Sequence, residues 1–277
     1  MKYGFYAPNA GSCGDAALLA DLAAESESSG WDGFFIWDHM QWPGMEPVVD
    51  PWVALAAIAM RTEKITIGPL VTPLARRDIA KLARETVSVD RLSGGRLILG
   101  IGLGHEGFPE WSGFGHEENA KTRGAMLDEG LEVLDALWSG QAVNHQGPHY
   151  KCICDGFAPP VQKPRIPVWI AGLWPSTKPF RRAAKWDGVT PMSKTALEGG
   201  PLSPGDITDI KNFIRSEGNS HDDFDIVTYG STANPDGSSM VAEYAAAGAT
   251  WWVEMVATFE PTLDQVKTRI RQGPPKV

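Results

Sequence analysis

Short apolar runs alternate with amphipathic stretches along almost the whole chain, and this alternation restricts the fold more than any other feature. Residues 3–7, 33–37, 65–70 and the run from Leu97 read as strands. Between them, residues 16–29, 52–60 and 78–92 carry apolar side chains at helical spacing. Asp15 stands where an N-cap belongs, and Gly30 where a helix ends. Strand–helix units joined by short connections predict a parallel sheet with right-handed crossovers.

The rhythm continues after a break. A helix is predicted over residues 120–139, with Met126, Leu127, Leu131, Val133, Leu134 and Leu137 as its buried stripe. Residues 142–162 then carry the turn dipeptides Gly147-Pro148 and Asp155-Gly156, which predict an inserted hairpin. Strands follow at 167–171, 187–190, 225–230 and 250–255, with helices at 176–185, 204–217, 238–247 and 261–272. Eight such units in 277 residues predict a (β/α)8 TIM barrel spanning 1–277, with the hairpin inserted after the fourth unit. A doubly wound open sheet is the competing architecture, but no Gly-x-Gly-x-x-Gly follows the first strand.

Charge and composition exclude several classes. The 25 Lys and Arg stand against 34 Asp and Glu, a formal net charge of −9, which disfavours nucleic acid or an anionic membrane as partner. No run approaches the roughly 18 apolar residues of a membrane span. The first residues read as a strand rather than a signal peptide, and Cys13, Cys152 and Cys154 make no disulfide framework, so a cytoplasmic location is expected. His145 and His149 precede Cys152 and Cys154, but the spacing matches no common zinc pattern.

A barrel of this kind works at the C-terminal ends of its strands. Asp38 and His39 end the second strand. The fourth carries Gly100, Gly102 and Gly104 in alternation, then His105 and Glu106. Alternating glycines clear one strand face, so a flat group could lie against the main chain. Two imidazoles and nearby carboxylates supply acid–base chemistry near neutral pH. Trp42, Phe108, Trp111 and Trp174 are candidates for an apolar substrate pocket. A phosphate fits either residues 172–177, where a strand end meets a helix N-terminus, or Ser231-Thr232.

Several motifs together resemble the bacterial luciferase-like flavin monooxygenases and their deazaflavin (coenzyme F420)-dependent relatives. They are Trp37-Asp38-His39, the segments 67–73 and 92–102, Arg123-Gly124-Ala125-Met126-Leu127-Asp128-Glu129-Gly130, and residues 167–172. The resemblance implies an oxidoreductase of small organic substrates, holding F420 or alternatively FMN, in a homodimer. It implies a cis peptide at Leu70-Val71 under the ring, with Thr72 beside it, and a backbone wall at Gly102 and Gly104. Ala171, Gly172, Leu173, Trp174 and Ser176 would hold the phosphate arm. His39 would donate a proton or orient the ring with Asp38 setting its tautomer, and His105 or Glu106 would be a second acid. In relatives a glutamate follows the glycines where His105 stands here. Two other readings remain: a metal-dependent barrel hydrolase using His39, His105 and Glu254, and a non-catalytic flavin-binding relative.

Overall fold

The computed structural model describes residues 1–105, 110–194, 202–232, 237–256, 258 and 260–276. In chain order, the first half contains β1 (Lys2–Ala7), α1 (Ala16–Ser28), β2 (Gly33–Ile36), α2 (Pro51–Arg61), β3 (Thr66–Pro69), β4 (Thr72–Pro73), α3 (Ile79–Leu92), β5 (Leu99–Gly102) and α4 (Ala120–Trp138). The hairpin strands β6 (Val143–Gln146) and β7 (Lys151–Cys154) follow. The second half contains β8 (Val168–Trp174), α5 (Thr177–Ala183), β9 (Gly188–Ser193), α6 (Pro204–Ser216), β10 (Asp225–Gly230), α7 (Ser238–Ala247), β11 (Trp251–Met255) and α8 (Leu263–Gln272).

Nine parallel strands pair in the order β3-β2-β1-β11-β10-β9-β8-β5-β4. β3 and β4 are one wall position interrupted at Leu70–Val71, and Ile67 bridges Leu97 just before β5, so the sheet returns on itself as the expected barrel. β6 and β7 pair antiparallel between α4 and β8, as the turn dipeptides predict.

Both faces of each strand are buried, which is why the strands read as continuous apolar runs. Phe5, Ala7, Phe34, Ile36, Val168 and Ile170 pack outward with the helices. Phe35, Ile98, Trp169, Trp251 and Val253 pack inward. Phe35, Trp169 and Trp251 fill the barrel with ring centroids 5.3–5.7 Å apart, so the interior is a packed core and not a channel. Asp15, Asp50 and Asp78 each accept a backbone N–H at the start of a helix, which fixes where α1, α2 and α3 begin.

One boundary changes the reading of the site. The fifth barrel strand was expected to end at Ala171, yet β8 runs on to Trp174. Gly172 pairs with Pro191, Leu173 with Met192 and Trp174 with Ser193. β9 is correspondingly longer than residues 187–190, and each extension satisfies the other's backbone groups.

Candidate active site

The floor of the barrel mouth is built from inward-facing positions one layer above the aromatic plug. Tyr6, Val71 and Tyr229 pack on the inner cluster. Gly102 lies among them: a Cβ there would meet Val71 Cγ2 and the Ala171 Cβ, each at 3.0 Å. The Leu70–Val71 peptide is cis, as the resemblance implies, and the Leu70 carbonyl accepts a hydrogen bond from the Tyr6 hydroxyl. The Tyr229 hydroxyl bonds the Thr190 hydroxyl, and the Tyr6 and Tyr229 rings lie 5.8 Å apart. Burial pushes both phenols up, Tyr6 with help from Tyr229 and Asp38, and Tyr229 against the Thr190 hydrogen bond. Both therefore stay protonated across the physiological range.

The three alternating glycines do not leave a continuous bare groove. A Cβ at Gly100 would strike the Pro69 carbonyl oxygen at 2.3 Å, because the interrupted strand presses against it. At Gly104, which has φ +78°, the space is taken by Trp111 at 2.6 Å and Pro73 at 2.9 Å. Only Gly102 faces small neighbours, so the floor narrows to the partly exposed Val71 and Ala171 with the buried Gly102 between them.

At the side of this floor, His39 stands among aromatic rings. Its centroid is 5.7 Å from Trp37 and 4.9 Å from Trp42, edge-on to both. Trp37 in turn lies 6.1 Å from Tyr6. Asn9 Nδ2 donates to the His39 carbonyl at 2.9 Å, tying the loop after β2 to the one after β1.

Asp38 does not set the histidine tautomer. Its side chain is buried and accepts from Thr72 Oγ1 at 2.7 Å, from Arg76 Nη2 at 2.9 Å and from Arg77 Nη2. Successive residues at a strand end point to opposite sides, so Asp38 turns into the wall while His39 faces the mouth. Thr72 is likewise committed to Asp38. The partner of His39 is Glu110, whose Oε2 lies 3.0 Å from Nδ1. Glu110 also accepts from the backbone N–H groups of Met40 at 2.5 Å and Gln41 at 3.2 Å, and it pairs with Arg76 Nη1 at 2.9 Å. Arg76 thus sits between two buried carboxylates. Neither Glu110 nor Arg76 stood out in the sequence. The available signals were a carboxylate inside an aromatic segment and two adjacent arginines directly after a strand end.

Burial alone would push the Glu110 carboxyl up. The His39 hydrogen bond, the Arg76 guanidinium and the Met40 N–H outweigh it and hold the carboxyl down to about 2, from the usual 4.5. A carboxyl depressed on folding stabilises the native state above its unfolded pKa, and that contribution is lost as pH falls from about 4.5 toward 2. In urea titrations between pH 6 and pH 3.5, the wild-type chain should lose about 1 kcal/mol more stability than Glu110→Gln. Parallel losses in the two proteins would contradict this assignment.

The remaining candidates are dispersed. A Cβ at Gly172 would meet Pro179 of α5 at 2.4 Å, so that face packs on the helix layer. Trp174 also turns outward, its ring 4.9 Å from Phe180 and 6.1 Å from Phe213, and does not line the mouth. Leu173, between them, is about half exposed at the rim, beside the equally exposed Met192. Ser176 caps α5 without a side-chain hydrogen bond of its own. His105 follows Gly104, and its carbonyl accepts from Trp111 Nε1 at 2.9 Å. Glu106 and Phe108 lie outside the described residues. Trp111 is buried over the Arg123 guanidinium at 4.3 Å, and is packing rather than pocket. Glu254 faces the helices, where Thr232, Trp252 and Arg269 all donate to its carboxylate. It cannot join His39 around a metal.

A cavity of about 170 Å³ lies at the other end of the barrel, lined by Lys211, Arg215, His221, Phe224 and Thr250 among others. It contains none of the strand-end groups described above.

The F420-dependent glucose-6-phosphate dehydrogenase of Nakamurella multipartita is 33% identical over 167 residues, covering 57% of this chain and 47% of that protein. The enzyme of the same name from Amycolatopsis mediterranei is 32% identical over 184 residues, covering 65% of this chain and 54% of that one. The chain therefore spans about half the length of the curated relatives it matches. Among solved structures, the coenzyme F420 dependent tetrahydromethanopterin reductase from Methanopyrus kandleri superposes with a TM-score of 0.75 at 16% identity, covering 98% of both chains. The family model described as luciferase-like monooxygenase matches residues 1–272: the chain belongs to the luciferase-like monooxygenase family.

Proposed function

We propose that this chain is an oxidoreductase that binds coenzyme F420, with FMN as the alternative, and acts on a small organic substrate at the barrel mouth. The observation that carries the reading is His39, edge-on to the packed pair Trp37 and Trp42 and close to a floor of Val71, Gly102 and Ala171. The donor set fits a flat tricyclic ring: small side chains on the floor bring the main chain within reach, and the aromatic wall excludes water. When bound, such a coenzyme supplies hydride transfer, or oxygen activation if it is FMN.

The protein's share of the chemistry is placement and proton handling. Val71, Gly102 and Ala171 support the ring face. Tyr6 fixes the Leu70 carbonyl beneath it. His39 moves a proton at the substrate or at the ring edge, and His105 and Glu106 are the candidates for a second acid. Leu173 and Ser176 are retained as contacts to the phosphate arm, Leu173 from the rim and Ser176 from the start of α5. Trp174, Thr72 and Asp38 are supports of the walls rather than contacts. The names of the relatives favour F420 over FMN, and a glucose phosphate is one substrate to try.

We also propose a homodimer through α2, whose outer face presents Val53 and Met60 at 59% and 71% exposure. Among the described residues no helix is long and apolar enough to cross a membrane. Sedimentation velocity, followed in the visible band of each oxidised coenzyme, tests both points. Coenzyme F420 should travel with the protein at the mass of two chains, and FMN should bind more weakly. Tight FMN uptake with none of F420 would reverse the choice of coenzyme. Migration of neither with the protein would remove the reading altogether.

A further inference from the structure

We infer that Glu110 is the positioning residue for His39: brought in from beyond β5, its carboxylate fixes the imidazole in the Nδ1–H form and directs its acid–base work to Nε2. The inference rests on the proposed role of His39 and adds the group that makes that role possible.

The chemistry is decided by what Glu110 can and cannot do. An ionised carboxylate only accepts hydrogen bonds. Glu110 accepts from two backbone N–H groups, Met40 and Gln41, and forms an ion pair with the Arg76 guanidinium, whose Nη1 lies 2.9 Å away. Its contact with His39 Nδ1 at 3.0 Å therefore requires the hydrogen to sit on Nδ1, whether the ring is neutral or protonated. The tautomer is set by a group 71 residues away in sequence, and not by the adjacent Asp38.

Three features make the contact a device for orientation rather than one more surface pair. The Glu110 side chain is 2% exposed, where charge-assisted hydrogen bonds are strong and costly to break. The same carboxylate holds the main chain at Met40 and Gln41, so ring and loop are set by one group. Its neighbour Trp111 is buried against Arg123 and bonds the His105 carbonyl, which ties the chain next to Glu110 to the end of the fourth barrel strand. Trp37 and Trp42, packed on each other with centroids 4.6 Å apart, then bound the imidazole edge-on from one side. Base, orienting carboxylate and rigid support make up the arrangement expected of a general acid–base centre.

The test reads the ring itself. With 15N-labelled histidine, and the His39 signals identified by their loss in His39→Ala, NMR should show the Nδ1–H form in the wild-type chain. In Glu110→Gln the side-chain amide can donate to Nδ1, and the tautomer ratio should move toward Nε2–H by roughly tenfold or more. Glu110→Asp keeps the charge but draws the carboxylate back, and should hold less Nδ1–H than wild type and more than the Gln variant. An Nε2–H ring in the wild type, or an unchanged ratio in the Gln variant, would overturn the inference. If the Gln variant does not fold, the Asp variant decides: a weakened Nδ1–H preference supports the inference and an unchanged one overturns it. Titration of the same samples with F420 and with FMN separates the two levels. Failure of the wild type to bind either coenzyme removes the proposed function while the tautomer result still stands for the positioning role.

Discussion

Replacing Arg76 with methionine is expected to lower folding stability by about 3–5 kcal/mol, the usual cost of taking one partner from a buried ionic group. Arg76 is 1% exposed, and it faces Asp38 on one side and Glu110 on the other, both as fully buried. Methionine fills much of the same volume, so the loss would report charge and hydrogen bonding more than packing. Asp38 would keep Thr72 and Arg77, and Glu110 would keep His39 and two backbone N–H groups. Those residual partners place the effect within that range rather than above it. The matched control is Arg61→Met. Arg61 pairs with Asp21 at 3.0 Å with both side chains more than 60% exposed, and an exposed pair of this kind contributes about 1 kcal/mol or less. Urea unfolding of the three proteins would measure the contrast. Equal losses in the two variants would mean that the Asp38–Arg76–Glu110 cluster does not hold the mouth together.

His39→Ala should lower turnover roughly 10²–10⁴-fold, the range typical of a positioned general acid or base. Affinity for the coenzyme should change far less, because the floor of Val71, Gly102 and Ala171 is left intact. Turnover would be measured on a substrate found in a panel of secondary alcohols and sugar phosphates, with coenzyme binding titrated separately. A parallel fall in binding and turnover would make His39 a ligand of the coenzyme rather than a proton carrier. Unchanged turnover would favour a site that does not use the histidine, as in a non-catalytic relative that holds a flavin.

The position of the site was legible because βα repetition fixes which end of each strand carries function. His39 could be placed at the mouth from its position directly after an apolar strand, and the Leu70–Val71 peptide from the motif around it. The glycine run was legible in direction but not in consequence. Gly100 and Gly102 share a face as their alternation requires, but Gly104 falls beyond β5 with a positive φ, and what fills the space beside them comes from the strand broken at Leu70–Val71, from Ala171 and from Trp111. Gly172 and Trp174 fall beyond the strand predicted over residues 167–171 because pairing with β9 carries β8 past the apolar run. No local pattern records how far a ladder continues once a neighbour is present.

The amino-acid sequence by itself determined the barrel, the hairpin between its halves and the strand ends that carry the candidate site. Those follow from periodicity, and periodicity is a local property of the chain. Only the tertiary structure decided which carboxylate serves His39. Glu110 reaches it from beyond β5, Arg76 pairs with Glu110 and with Asp38, and Asp38, the neighbour of His39 in sequence, points into the wall. Hydrogen bonds act over about 3 Å, so partners are chosen by proximity in space, and covalent adjacency at a strand end sends two side chains in opposite directions.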